Sequence, residues 1–261
     1  MFHNDFFSFE TGQATDVGRV REVNEDSFLS RPDSGLWVVA DGMGGHAAGD
    51  FASQTIVHEL FSIGVPGSAE DLRMRFMERL SRANDAILAH AAELDRGSIG
   101  ATVVALLVHG TDYACIWSGD SRIYRLRDGR LEQQTRDHTE VRALVDAGSI
   151  TQEEAVNWPR RNVITRAIGV FETPECEMVT DSLKLGDTFL LCSDGLTEHL
   201  SDAEIADFLA HHDAQGACDR MIAETLARGA RDNVTVIVMR CLPPPEPELD
   251  AFTAARMDDF S

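Results

Sequence analysis

Short apolar runs bounded by Gly and Asp recur along the chain and read as strands. They are LWVVA at 36–40, ATVVALLVH at 101–109, YACIW at 113–117, RIYRL at 122–126, TFLLCS at 188–193 and NVTVIVM at 233–239. Several are apolar at every position, so both faces are buried, which predicts the interior of a sandwich covered by helices. Asp128-Gly129, between RIYRLR and RLEQ, predicts a hairpin. From Asp71 to Asp95, Leu72, Phe76, Leu80, Ala83, Ile87, Ala91 and Leu94 fall three or four apart, which predicts a long helix packed on one side. A second helix is predicted over Phe51 to Phe61 after a glycine-rich loop, and a third over 213–228. Ser201 with Glu204, and Thr151 with Glu154, have the spacing of capping boxes. The order is strands, two helices, a strand meander, a mixed segment at 139–171, then strand, helices and strand. Such segregation indicates an α+β fold and not the strict alternation of a doubly wound sheet.

Composition narrows the function. The 261 residues carry 44 acidic and 23 basic side chains, a formal net charge of -21, and the only lysine is Lys184. This balance repels phosphate backbones and anionic lipid, arguing against nucleic-acid binding and membrane insertion. Lys184 lies between two leucines, so there is no Gly-Lys-Ser/Thr phosphate loop, and no further lysine could supply a kinase-type Lys–Glu pair. The five cysteines, Cys115, Cys176, Cys192, Cys218 and Cys241, form no CxxC pair and read as reduced thiols of a cytoplasmic protein. None has an arginine six positions on, so the cysteine-phosphatase loop is absent. No segment reaches the ~18 apolar residues that span a bilayer. After Leu242 the chain turns proline-rich and then acidic, which predicts a flexible tail with a short docking helix around Phe252 to Met257.

The candidate chemistry lies in where aspartates fall. Asp41 follows LWVVA, Asp194 follows TFLLCS, Asp120 follows YACIWSG, Asp232 precedes NVTVIV, and Asp26 precedes SFLS. A single Asp-Gly is a turn signal, and Asp128-Gly129 is explained fully that way. Carboxylates at the ends of several buried strands can instead converge, and a carboxylate cluster requires protons or cations. Oxygen donors without Cys/His spacing favour Mg²⁺ or Mn²⁺ over Zn²⁺. Arg21, placed by pattern at the start of a strand, reads either as a clamp for a phosphoryl group or as a solvated surface arginine.

Eight segments, in order, resemble the bacterial branch of the metal-dependent serine/threonine protein phosphatases of the PPM, or PP2C, family. They are TDVGRVREVNEDSF (15–28), VVADGMGGHAAGD (38–50), SIGATVVAL (98–106), WSGDSRIYRL (117–126), RDHTEV (136–141), NVITRAIG (162–169), LLCSDGLTEHL (190–200) and ARDNVTVIV (230–238). The resemblance implies a four-layer α-β-β-α sandwich with two facing antiparallel sheets and a flap at about 137–171. It places the phosphatase domain at 6–241 and a Pro-rich acidic tail at 242–261.

It further implies two Mn²⁺ or Mg²⁺ ions per active site and a weaker third. Asp41 would bridge the two, Asp194 and Asp232 would complete one site, and the Gly42 carbonyl would serve the other. Asp26 would act mainly through water, with Glu25 nearby, and Asp120 would join Asp194 at the third ion. Arg21 would bind the substrate phosphate, Asn233 would support Asp232, and water bridging the metals would be the nucleophile. Met43 stands where eukaryotic members carry a histidine, so the general acid stays open. His46 reads equally as a helper and as a loop residue, and His138 as structural or flap-positioning. The implied substrates are phosphoproteins, among them a Ser/Thr kinase and its targets, met by a cytoplasmic monomer. Arg160 and Arg161 of the flap would supply local positive charge. A catalytically silent phosphoprotein-binding module and a two-metal phosphatase on a small phosphate ester are the alternatives.

Overall fold

The computed structural model describes residues 2–4, 6–44, 48–94 and 99–244. His46 and the tail from 245 onward, including the helix expected near Phe252, lie outside the described residues. Along the chain come β1 (Phe2–His3), β2 (Ser8–Asp16), β3 (Asp26–Arg31) and β4 (Leu36–Met43), then α1 (Ala48–Phe61) and α2 (Ala69–Glu93). A meander follows: β5 (Gly100–Ala101), β6 (Val103–His109), β7 (Asp112–Ser118), β8 (Arg122–Arg127) and β9 (Arg130–Gln133). Helices α3 (Glu140–Asp146) and α4 (Gln152–Val156) lie in the mixed segment, before β10 (Glu177–Ser182) and β11 (Thr188–Cys192). Helices α5 (Asp194–Thr197), α6 (Asp202–His211) and α7 (Ala214–Ala227) lead to β12 (Val234–Leu242).

The strands form two antiparallel sheets, ordered β1-β2-β12-β11-β8-β9 and β10-β7-β6-β4-β3, with β5 paired to β4. The two-residue period of β4 shows why its run is apolar throughout. Leu36, Val38 and Ala40 pack with Ile56, Leu60, Phe76, Leu80 and Ile87 of α1 and α2, whereas Trp37 and Val39 face the core between the sheets. There they meet Val104, Leu106, Cys115, Phe189, Leu191 and Ile237. The opposite faces of β11 and β12, through Leu190, Val236 and Val238, pack under Ile205, Leu209 and Met221 of α6 and α7. Each layer depends on large side chains at full burial; truncating one such as Phe76 to alanine costs about 3–5 kcal/mol. This is the four-layer α-β-β-α architecture that the family resemblance implies.

Both capping boxes form, at Thr151/Glu154 and Ser201/Glu204. The β8–β9 turn places Asp128 at φ 51° and Gly129 at φ 76°, the paired left-handed conformation of a two-residue hairpin. Strands β2 and β10 escape the hydrophobicity pattern because one is an alternating polar strand and the other an exposed edge strand. Arg21 lies in the loop between β2 and β3, not at the start of a strand. The polar run VGRVREVNE has no buried face to extend against, so it bends across the ends of the sheets. Among the described residues, no helix is long and apolar enough to cross a membrane.

Candidate active site at the ends of the strands

The site forms where the two sheets end together. Asp26 opens β3 directly opposite Asp41 near the end of β4, so the two side chains share one face of the sheet. Asp194 begins α5 immediately after β11, and Asp232 lies just before β12, the neighbour of β11. Asp120 occupies the β7–β8 turn.

Neutral partners fix this end of the fold. The Asp41 N–H donates to Thr102 Oγ1 at 3.2 Å, and the Thr102 N–H returns a bond to Asp41 O at 2.8 Å. Ser193 Oγ donates to Asp26 Oδ2 at 2.8 Å and accepts from the Thr235 N–H at 2.9 Å. The Asp26 N–H donates to Asn24 Oδ1 at 3.1 Å. Asn233 clamps the loop that carries Arg21: its Oδ1 accepts from the Glu25 N–H at 2.8 Å, and its Nδ2 donates to Val17 O and Val23 O at 2.9 and 3.0 Å. Arg21 Nη2 in turn donates to Asp232 Oδ2 at 2.7 Å, a bond that pushes the guanidinium pKa further up. Close backbone approach demands two glycines. A Cβ on Gly42 would sit 2.1 Å from Gly49 O, and one on Gly195 would sit 2.0 Å from Asn233 O.

Electrostatics identify what the cluster wants. Burial, then repulsion from Asp26, Asp194, Asp120 and Asp232, raises the Asp41 pKa well above the usual carboxylate range. Burial and then Asp120 and Asp232 do the same to Asp194. Burial pushes Asp26 up to about 6, against the opposing bonds from Thr235 and Ser193, and pushes Asp120 up to about 7. Asp41 and Asp194 are half-buried.

Asp26 Oδ1, Asp120 Oδ1 and Glu25 Oε1 are buried without a hydrogen-bond partner. An orphaned acceptor in a repelling carboxylate cluster is a poor choice for stability and a good one for a hard divalent cation. Among the described residues, no three His, Cys, Asp or Glu side chains stand close enough together to hold a metal ion by themselves. Their charges nonetheless act on one another, each raising its neighbours' pKa. The donor set therefore fits Mn²⁺ or Mg²⁺.

Beside the cluster, a cleft of about 680 Å³ runs between Asp120 and Asp194 on one wall and α3 and α4 on the other. Arg161, Asn162 and Glu198 line it. Arg160 is instead paired with Glu140 at 2.9 Å. Arg122 grips Asp137 at the base of this segment through bonds of 2.6 to 3.2 Å. The geometry thus brings together Arg21, Glu25, Asp26, Asp41, Gly42, Asp120, Asp194, Asp232 and Asn233. Sequence reasoning missed Asn24, Thr102 and Ser193, which are hydrogen-bond partners of the cluster. Ser193 and Asn24 stand one and two residues from acids of the set, and that adjacency was their only signal.

A profile described as Protein phosphatase 2C matches residues 18–232. The serine/threonine protein phosphatase PstP of Mycobacterium tuberculosis (strain CDC 1551 / Oshkosh) is 40% identical over 225 residues, 86% of this chain; the match spans 43% of the length of that relative. The structure of PppA, described as a key regulatory component of T6SS in Pseudomonas aeruginosa, aligns with a TM-score of 0.85 and 40% identity, over 92% of this chain and 100% of its own. The catalytic domain of PstP in complex with two manganese ions aligns with a TM-score of 0.82 and 37% identity, over 90% and 99%. Sandwich, strand-end carboxylates and sequence agree: this chain belongs to the protein phosphatase 2C family.

Proposed function

We propose that this protein is a metal-dependent protein-serine/threonine phosphatase, hydrolysing phosphoserine and phosphothreonine in proteins at a binuclear Mn²⁺ or Mg²⁺ centre. The observation that carries the reading is the convergence of orphaned, mutually repelling carboxylates beside Arg21. Asp41, Asp194, Asp232 and the Gly42 carbonyl hold the two ions, with Asp26 and Glu25 beside them. Asp120 and Asp194 hold a weaker third. When bound, the ions supply Lewis acidity and a nucleophile at neutral pH. Arg21 is half-exposed, and its bond to Asp232 leaves the rest of the guanidinium free to donate to phosphoryl oxygens. Asn233 keeps that loop in register with Asp232. Met43 offers no proton to the leaving alkoxide.

The substrates on this reading are a Ser/Thr protein kinase and its targets, reached in the cytoplasm by a monomer. Residues 6–241 form the catalytic domain, 137–171 its flap and 242–261 a tail. The test compares a phosphothreonine peptide with nucleotides, using the full chain. Expected are turnover of the peptide, loss with chelator and return with Mn²⁺. Preference for nucleotides would move the reading to small phosphate esters, and absence of divalent binding in calorimetry would make the chain a phosphoprotein-binding module.

A further inference from the structure

His138 stands at the entrance of the segment over the cleft and is 7% exposed. Its backbone N–H donates to Gly119 O at 2.9 Å, and the Gly119 N–H donates to His138 Nδ1 at 3.1 Å. The flap entrance and the turn carrying Asp120 are thereby closed into one ring of two bonds. Because Nδ1 accepts, the imidazole proton sits on Nε2, which lies 3.3 Å from Glu177 Oε1 on β10. That carboxylate also accepts from Arg166 Nη1 at 2.8 Å, and the Thr165 N–H donates to His138 O at 2.8 Å. The ring stacks on Trp117, with centroids 6.1 Å apart and planes at 22°. Burial lowers the His138 pKa, in keeping with a neutral ring that accepts at Nδ1. The imidazole therefore touches Gly119 of the β7–β8 turn, Arg166 Nη1 at 3.3 Å and Glu177 of β10, while the His138 carbonyl takes the Thr165 N–H.

The Asp120 carboxyl depends on this arrangement. Its Oδ1 is buried without a hydrogen-bond partner. With no partner of its own there, the carboxyl follows the backbone that carries it, and His138 fixes that backbone at Gly119 through its own N–H and its Nδ1. We propose that His138 is a positioning residue that aims Asp120 into the cleft and ties that aim to the seat of the flap. The proposal rests on the reading of Asp120 as an ion-holding residue.

The test uses two variants of the full chain. His138→Asn keeps an acceptor near Nδ1 for the Gly119 N–H; His138→Gln places its amide toward Nε2 and Glu177 instead. The readouts are hydrogen exchange at the Gly119 amide by NMR and the stepwise affinity for Mn²⁺ by calorimetry. Expected for His138→Gln is faster Gly119 exchange and a weakest Mn²⁺ step weakened on the order of tenfold, as for groups behind a metal ligand. The tighter steps should be retained, and His138→Asn should stay near wild type in both readouts. The reverse ranking, equal loss in both variants or no loss in either would overturn the proposal. Asp120→Asn separates the two readings: unchanged Mn²⁺ binding there sinks the role of Asp120 as a ligand, while the Gly119 amide still reports on His138.

Discussion

Asp26 stands directly opposite Asp41 across the antiparallel pair β3–β4, two carboxylates on one face of one sheet. Like charges in that position destabilise a strand pair. The fold keeps them, and adds Asp194, Asp120 and Asp232 to the same field, so that burial and repulsion raise the Asp41 pKa well above the ordinary range. The arrangement is costly for the protein alone and favourable once cations share it.

Removing one of these charges should therefore separate stability from activity. Asp41→Asn is expected to raise the melting temperature of chelator-treated protein and, on the proposal that Asp41 is a metal ligand, to lower Mn²⁺-dependent turnover by more than about a hundredfold, since losing a ligand costs more than losing a residue behind one. Thermal melts and phosphopeptide kinetics check the two halves. A variant that melts lower than wild type without metal would contradict the account of the cluster.

The same repulsion sets a pH dependence. Unfolded aspartates titrate near about 3.9, whereas Asp26 is pushed up to about 6 and Asp120 to about 7 in the fold. Between those values the folded chain binds more protons than the unfolded one, so its stability falls as pH rises and levels off above the folded pKa values. Metal-free protein should melt highest near pH 5 and progressively lower toward pH 8. Saturating Mn²⁺ should remove most of that slope, and the Asp26→Asn/Asp120→Asn double variant should reduce it without metal, Asp41 and Asp194 carrying the remainder. A metal-free melting temperature that climbs over this range excludes the mechanism.

Asn233 is the lock on the Arg21 loop. Replacing it by alanine strips the Glu25 N–H, Val17 O and Val23 O of their partner. A loss on the order of 3 kcal/mol in urea unfolding is expected, given roughly 1–3 kcal/mol for each buried group left unpaired. The KM for a phosphopeptide should rise as well, because the loop that presents Arg21 is no longer held. Wild-type KM would show that the loop keeps its place without the clamp.

The two flap arginines should differ. Arg160 is paired with Glu140, whereas Arg161 lines the cleft, donates to Val156 O at 3.2 Å and has no carboxylate within ion-pair distance among the described residues. Arg161→Ala is expected to raise KM for a phosphopeptide about fivefold, equivalent to about 1 kcal/mol, and to leave a small aryl phosphate nearly unchanged. Arg160→Ala should do neither. Equal effects on both substrates would remove Arg161 from peptide recognition.

Local pattern along the chain carries the elements and the chemistry of the donors. Runs such as LWVVA and NVTVIVM are apolar on both faces because each strand lies between a helix layer and the opposite sheet, and that burial is written in composition. Asp41, Asp120 and Asp194 were legible because each interrupts or ends such a run. Strands β2 and β10 were not, since an edge or alternating polar strand is held by its neighbours' backbone and needs no apolar pattern. That Asp26 faces Asp41, that Arg21 bonds Asp232 across 211 positions of sequence, and that His138 closes on Gly119 come from the packed fold. Those relationships depend on strand register and on which strands are neighbours. Register and order follow from long-range packing of two sheets, which no local pattern of residues contains.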